Sequence, residues 1–269
     1  MERRPLGRTG LSVPVVGMGT WRTFDVAAAS DVAARREVVS AALESGSDLF
    51  DSSPMYGPAE RVLARALAGR RDRAVVATKV WSADEQAGAR QIEQALSLYD
   101  GRVDVYQVHN LVAERHWLRV LQGLKAEGRV RVVGVTHYAH SAFGDLARVM
   151  RSGAVEQVQL PLNVLDRTAE RELLPLAADL GIGVLVMRPF GEGSLVRRPP
   201  PEEMLVPLRA YGVTTWAQAL LKWILSDVRV SCAIPATSRV QHATDNAAAG
   251  DPPWFDQETR DYVRRLAER

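Results

Sequence analysis

Eight short runs of mostly apolar and β-branched residues recur along the chain, each followed by a longer segment patterned as a helix. The runs are Val15–Gly19, Asp48–Asp51, Ala74–Val80, Val103–His109, Val132–Thr136, Val155–Leu160, Gly183–Arg188 and Val230–Pro235. Most lack the apolar–polar alternation of a half-exposed sheet. They read instead as strands covered on both faces, the condition of a parallel sheet. The intervening segments read as helices over Asp31–Ser45, Ala59–Ala68, Asp84–Tyr99, Glu114–Glu127, Ser141–Arg151, Thr168–Leu180, Thr214–Leu225 and Val240–Ala249. Ser30 is placed to cap the first of these, with Gly46 as its stop, while Gly88 weakens the first turns of the third. Eight strands alternating with eight helices within 269 residues is the count and size of an α/β protein of the (β/α)8 TIM-barrel type. The rival, an open doubly wound sheet, would usually carry a Gly-x-Gly-x-x-Gly turn after an early strand, and none occurs there.

Two pieces lie outside the repeat. Pro5–Pro14, with the turn Gly7-Arg8-Thr9-Gly10, reads as an N-terminal β-hairpin suited to plugging the bottom of a barrel. Asp256–Ala267 reads as an extra C-terminal helix. No linker, low-complexity stretch or repeat interrupts residues 1–269, which read as one barrel domain. A formal net charge of +2 gives no strong pull toward nucleic acid or a membrane surface. Cys232 is the single cysteine, so no intramolecular disulfide can form. No apolar stretch of signal-peptide length follows the N-terminal arginines, and no window nears the roughly 18 apolar residues needed to span a bilayer. These features lead to the expectation of a cytoplasmic protein; the sequence assigns no oligomeric state.

In such a barrel the chemistry gathers at the C-terminal ends of the strands and in the loops after them. Asp51 ends the second run, with Tyr56 in the short loop beyond it; Lys79 nearly ends the third and His109 ends the fourth. Each has a plainer reading: a turn former for Asp51, a loop anchor for Tyr56, a hydrogen-bonded structural residue for His109. Lys79 is the hardest to explain so, because only Lys79, Lys125 and Lys222 are lysines, and an ammonium on an apolar strand is costly unless paired. Asp51 on the neighbouring strand is its natural partner. Together the four make a coherent set. A phenol with a pKa of about 10 is a poor acid at neutral pH. A nearby ammonium favours phenolate and is expected to lower that value, an imidazole can orient a carbonyl, and the carboxylate holds the ammonium. Such a group suits protonation of a carbonyl oxygen during hydride transfer, the hydride coming from a cofactor because no side chain supplies one.

Taken in order, Leu6-Gly7-Arg8-Thr9-Gly10-Leu11, Gly17-Met18-Gly19-Thr20-Trp21, Phe50-Asp51-Ser52-Ser53-Pro54-Met55-Tyr56-Gly57, Thr78-Lys79, Val108-His109-Asn110, Gly134-Val135-Thr136-His137, Gln159-Leu160-Pro161-Leu162-Asn163, Met187-Arg188-Pro189-Phe190-Gly191 and Ile234-Pro235 through Asn246 resemble the aldo-keto reductase family over nearly the whole chain. The resemblance implies an NADP(H)-dependent oxidoreductase that reduces aldehydes or ketones. Asp51, Tyr56, Lys79 and His109 would be the catalytic tetrad, with Tyr56 the proton donor. Gly19, Thr20, Trp21 and Asp51 would lie beside the nicotinamide ribose, and Thr136, His137 and Gln159 near the carboxamide, although the family often has Asn in place of His137. Met187 stands where many members stack a tyrosine on the nicotinamide. Arg188, Pro189, Phe190, Gly191, Gly193 and Leu195 would wrap the pyrophosphate. Pro235, Ala236, Thr237, Ser238 and Arg239 would open the last barrel helix, with Arg239 on the 2′-phosphate and His242 and Asn246 toward the adenine. Ala236 replaces a frequent lysine, which leaves NAD(H) open as the cofactor. Trp21, Tyr56, Trp81, His109 and Asn110 would line the substrate site. The short Ser194–Met204 loop and short tail imply an open site with broad carbonyl acceptance.

Two other functions fit parts of the pattern. A regulatory or redox-sensing protein that binds NADP(H) with slow or vestigial turnover would keep the same fold. A metal-dependent hydrolase would need several His or carboxylate ligands at strand ends, and apart from His109, His137 and Asp51 the strand ends do not provide them.

Overall fold

A computed structural model describes residues 1–269. Strands β1 (Arg3–Pro5) and β2 (Ser12–Pro14) form the antiparallel hairpin, Arg4 opposite Val13. The repeat then runs β3 (Met18–Gly19), α1 (Ala29–Glu44), β4 (Leu49–Asp51), α2 (Ala59–Ala66), β5 (Val75–Val80), α3 (Glu85–Leu98), β6 (Val103–His109), α4 (Glu114–Ala126), β7 (Val130–Thr136), α5 (Phe143–Arg151), β8 (Gln157–Pro161), α6 (Thr168–Leu180), β9 (Gly183–Met187), α7 (Trp216–Leu225), β10 (Cys232–Ala233) and α8 (Val240–Ala248), with α9 (Gln257–Ala267) last. Strands β3 to β10 are parallel and pair in chain order. Bridges from Val16 to Ala233 and from Gly19 to Ala236 join the first strand to the last, so the sheet closes on itself. No helix is long and apolar enough to cross a membrane.

Two apolar layers follow from the period of two along each strand. Outward residues such as Phe50, Val76, Val80, Tyr106 and Val108 join the helices in one large cluster. Leu49, Ala77, Val105, Val132, Leu185, Cys232 and Ile234 form a smaller cluster with Leu6, Leu11 and Val13 of the hairpin. The hairpin therefore stoppers the barrel with apolar side chains, as its sequence suggested. Above this plug the same strands carry polar residues, which prepares the site.

Three local expectations need correction. Ser30 does not cap α1: the helix starts at Ala29, which puts Ser30 inside its first turn, and no side chain bonds to the helix start, where Ala28 is the N-cap. Gly88 is a packing requirement rather than a mere weakness in α3. A Cβ there would lie 2.1 Å from Trp117 Cζ2 on α4, and Trp117 is buried. The Ser194–Met204 stretch is not one plain loop, because 3-10 turns occupy Gly191–Val196 and Glu202–Tyr211 on either side of its prolines.

Candidate active site

Strand alternation carries the site. On β4 the inward positions are Leu49 and Asp51, on β5 Ala77 and Lys79, and on β6 Val105, Gln107 and His109, so each strand passes from apolar plug to polar rim. Asp51 pairs in register with Ala77, Lys79 with Gln107, and His109 with Thr136. Lys79 is wholly buried, and its Nζ donates to Asp51 Oδ2 at 2.6 Å and to the Ser52 carbonyl at 2.7 Å. Asp51 Oδ1 accepts from Gln107 Nε2 at 3.1 Å and from Gln159 Nε2 at 2.9 Å. The buried charges are thus paired, and both carboxylate oxygens have donors, as a dry site demands.

The loop after β4 turns back over this pair. The Tyr56 N–H donates to the Ser53 carbonyl at 3.0 Å, and Gly57 adopts φ 60°, a conformation available to glycine at little cost. This sets Lys79 Nζ 5.3 Å from the Tyr56 ring centroid. The His109 ring lies edge-on to Tyr56 at 6.0 Å between centroids, and Trp81 stands 6.5 Å from it. All four tetrad candidates therefore lie beside one another at the rim.

Burial, then the nearby Lys79 and His137, pushes the His109 imidazole down to about 3, so it is neutral at physiological pH. Burial works against the Lys79 ammonium, but its negative neighbours, Asp51 first among them, outweigh it and the net direction is upward. The Tyr56 phenol departs from the sequence expectation. Burial raises its pKa and exceeds the lowering by Lys79, so the net direction is up rather than down. The phenol is held in its protonated form, the form that can donate.

Other expected residues are distributed around this centre. The Thr20 hydroxyl lies 3.0 Å from the Asp51 carbonyl and 2.9 Å from Ser52 Oγ, so it braces the β4 end. Gly19 seals the barrel seam, its N–H donating to the Pro235 carbonyl at 3.0 Å. Trp21 is half-buried with the Arg22 guanidinium 4.2 Å over its ring. Thr136 Oγ1 donates to Gln159 Oε1 at 3.3 Å, so both ends of the Gln159 amide already have partners within the site. His137 Nδ1 accepts from the Ala139 N–H at 3.0 Å, and its ring stacks on Tyr138. Asn110 takes φ 52°, turning the chain away immediately after His109. Met187 and Arg188 lie half-buried at the end of β9; the Arg188 guanidinium pairs with Glu192 at 3.0 Å and lies 4.8 Å from the Tyr138 ring. Arg188, Gly191, Glu192 and Gly193 all have positive φ, giving the Pro189–Leu195 segment a tight, irregular course past Phe190. At α8, Ala236, Ser238, Arg239 and His242 are exposed, whereas Pro235, Thr237 and Asn246 are buried. His242 and Asn246 therefore do not present one common exposed face.

Sequence reasoning passed over several residues that hold the site. Gln107 reads as a polar residue within an apolar strand, which is itself a signal for a buried partner. Ser53 is fully buried with its Oγ 3.0 Å from His109 Nδ1. Glu60 of α2 is buried behind Lys79, its carboxyl taking the hydroxyl of Thr78, the outward neighbour on β5. Burial pushes this carboxyl up to about 7.

Comparison with known proteins finds similarity along most of the chain. The chain is 28% identical to methylglyoxal reductase YeaE of Escherichia coli over 260 residues, covering 92% of this chain and 89% of the relative. It is 30% identical to an NADH-specific methylglyoxal reductase of the same organism over 230 residues, covering 72% of this chain and 69% of the relative. An aldo-keto reductase from Klebsiella pneumoniae, solved in complex with NADPH, superposes with a TM-score of 0.81 at 25% identity, covering 99% of this chain and 96% of that one. The model of the aldo/keto reductase family matches residues 15–268, and with the barrel and its rim so arranged the chain belongs to that family.

Proposed function

We propose that the protein reduces aldehydes or ketones to alcohols with NADP(H), Tyr56 delivering the proton to the carbonyl oxygen. The observation that carries this reading is the buried Lys79–Asp51 pair beneath a protonated Tyr56 and beside a neutral His109.

The chain suits a nicotinamide dinucleotide at two places. The Arg188–Gly193 segment turns through positive φ at four residues, and a Cβ on Gly193 would meet nothing within 4 Å, which leaves backbone open to a phosphate group. Helix α8 begins at Val240, and its N-cap residue Arg239 gives no side-chain cap, so its first N–H groups and the exposed Arg239 favour an anion. Arg239 supports NADP(H) over NAD(H) through the 2′-phosphate. A relative described as NADH-specific keeps the second cofactor in the test. When bound, the dinucleotide supplies the hydride. In this reading the Tyr56 O–H and the neighbouring His109 imidazole act together on the carbonyl oxygen and stabilise the charge that develops there. Lys79 stabilises the phenolate left after proton transfer, and Asp51 with Gln107 and Gln159 holds the ammonium in place. Exposed Met55 and Trp81 give the mouth an apolar wall suited to small carbonyl compounds. The two methylglyoxal reductases among the relatives support a small 2-oxoaldehyde as one substrate.

The test follows nicotinamide absorbance with methylglyoxal, 4-nitrobenzaldehyde and a panel of ketones, NADPH and NADH being compared. Carbonyl-dependent consumption of NADPH is expected. Tight NADPH binding without turnover of any carbonyl would overturn the reading.

A further inference from the structure

We propose that Ser53 is a positioning residue that fixes the tautomer of His109, leaving the proton on Nε2 and making that nitrogen a donor to the substrate oxygen; this deepens the reductase reading and rests on it for its catalytic consequence. A neutral imidazole carries one N–H, and the environment of the other nitrogen decides which one it is. His109 Nδ1 lies 3.0 Å from Ser53 Oγ. Ser53 is fully buried, and its Oγ already accepts the Met55 backbone N–H at 3.2 Å. The hydroxyl has no third partner. If Nδ1 carried the proton, Ser53 Oγ would receive two donors and its own hydrogen would be buried without an acceptor. If Nδ1 is bare, the Ser53 O–H donates to it and every group is satisfied. An unsatisfied buried donor shifts such a balance by roughly 10- to 100-fold in population. The Nε2–H then lies in a ring flanked by Tyr56 and Trp81.

The arrangement also explains why the loop is built as it is. The segment Ser53-Pro54-Met55-Tyr56 closes with the Met55 N–H on Ser53 Oγ and the Tyr56 N–H on the Ser53 carbonyl. One residue thereby sets both the course of the loop that presents Tyr56 and the proton position on His109. The two groups to which the reductase reading gives the carbonyl oxygen are thus coupled through Ser53.

The test is imidazole ¹⁵N spectroscopy of the full chain labelled at histidine, the His109 signals being assigned by their absence in His109→Gln. The wild type is expected to show Nε2 protonated and Nδ1 bare. In Ser53→Ala both tautomers should appear, and kcat should fall roughly tenfold while the carbonyl KM changes less than about twofold. A wild type protonated at Nδ1 overturns the proposal, as does a Ser53→Ala spectrum identical to the wild type. The spectrum requires no turnover. The expected tautomer in a protein that reduces no carbonyl would refute the reductase reading and leave the Ser53 assignment standing.

Discussion

Glu60→Gln tests the electrostatics beneath the site. Glu60 is 2% exposed, its Oε1 accepts from Thr78, and its Oε2 has no partner. Burial raises the carboxyl from 4.5 to about 7, the Thr78 hydroxyl and Lys79 only partly opposing it. Between those values the folded protein holds a proton that the unfolded chain has released. The contribution to stability is therefore complete below pH 4.5 and is lost as pH rises through 7. At about 1.4 kcal/mol for each tenfold change in proton affinity, the loss amounts to about 3 kcal/mol. Glutamine keeps an acceptor for Thr78 and cannot ionise. Glu60→Gln should consequently gain stability relative to wild type by about 3 kcal/mol on going from about pH 4 to about pH 8. Urea denaturation at a series of pH values reads this difference with contributions common to both proteins removed. Parallel stability profiles for the two proteins would refute the reasoning, and so would a difference that grows toward low pH.

Three further predictions bear on packing and chemistry. Gly88→Ala drives a methyl into Trp117 across the α3–α4 contact and should destabilise by about 1–3 kcal/mol, read as a lower urea midpoint with an unchanged slope; an unchanged midpoint would show that the helices separate at little cost. Because His109 titrates at about 3 and Tyr56 is held above its ordinary value, neither should bend kcat/KM for reduction between about pH 5 and 9, and an inflection near 6.5 that persists in Glu60→Gln would contradict the buried, neutral imidazole. Arg239→Ala should raise KM for NADPH about tenfold and leave that for NADH unchanged, the effect of losing one charge-assisted contact; equal changes for both cofactors would remove Arg239 from 2′-phosphate recognition.

The barrel was legible because its strands are buried on both faces and its helices end at glycines such as Gly46, Gly101 and Gly128, all of which take positive φ. The Lys79–Asp51 pair was legible for a related reason. A charge at the end of an apolar strand must have a partner, and Lys79 and Asp51 are on adjacent strands. Less could be read where tertiary packing overrides local preference. Ser30 is a good capping residue by type, yet α1 begins at Ala29 with its start uncapped. Glu60 looks like an ordinary surface residue of an amphipathic helix, and only the outward turn of Thr78 on β5 reveals that it is buried. The rise in the Tyr56 pKa was hidden for the same reason. Lys79 is visible as a nearby charge in the sequence, but the desolvation that outweighs it depends on how the loop folds down. Ser53 carries no distinguishing pattern, and its importance arises from one distance to Nδ1.

The central claim is that Tyr56 gives the proton, and Tyr56→Phe measures it most directly. The substitution removes one hydroxyl and keeps the ring that packs beside His109 and over Lys79. NADPH binding, followed by fluorescence quenching, should remain within about threefold of wild type, while kcat for methylglyoxal or 4-nitrobenzaldehyde falls by roughly 100-fold or more, the scale of a lost general acid. Turnover within a few-fold of wild type would contradict the account and assign the proton to another group.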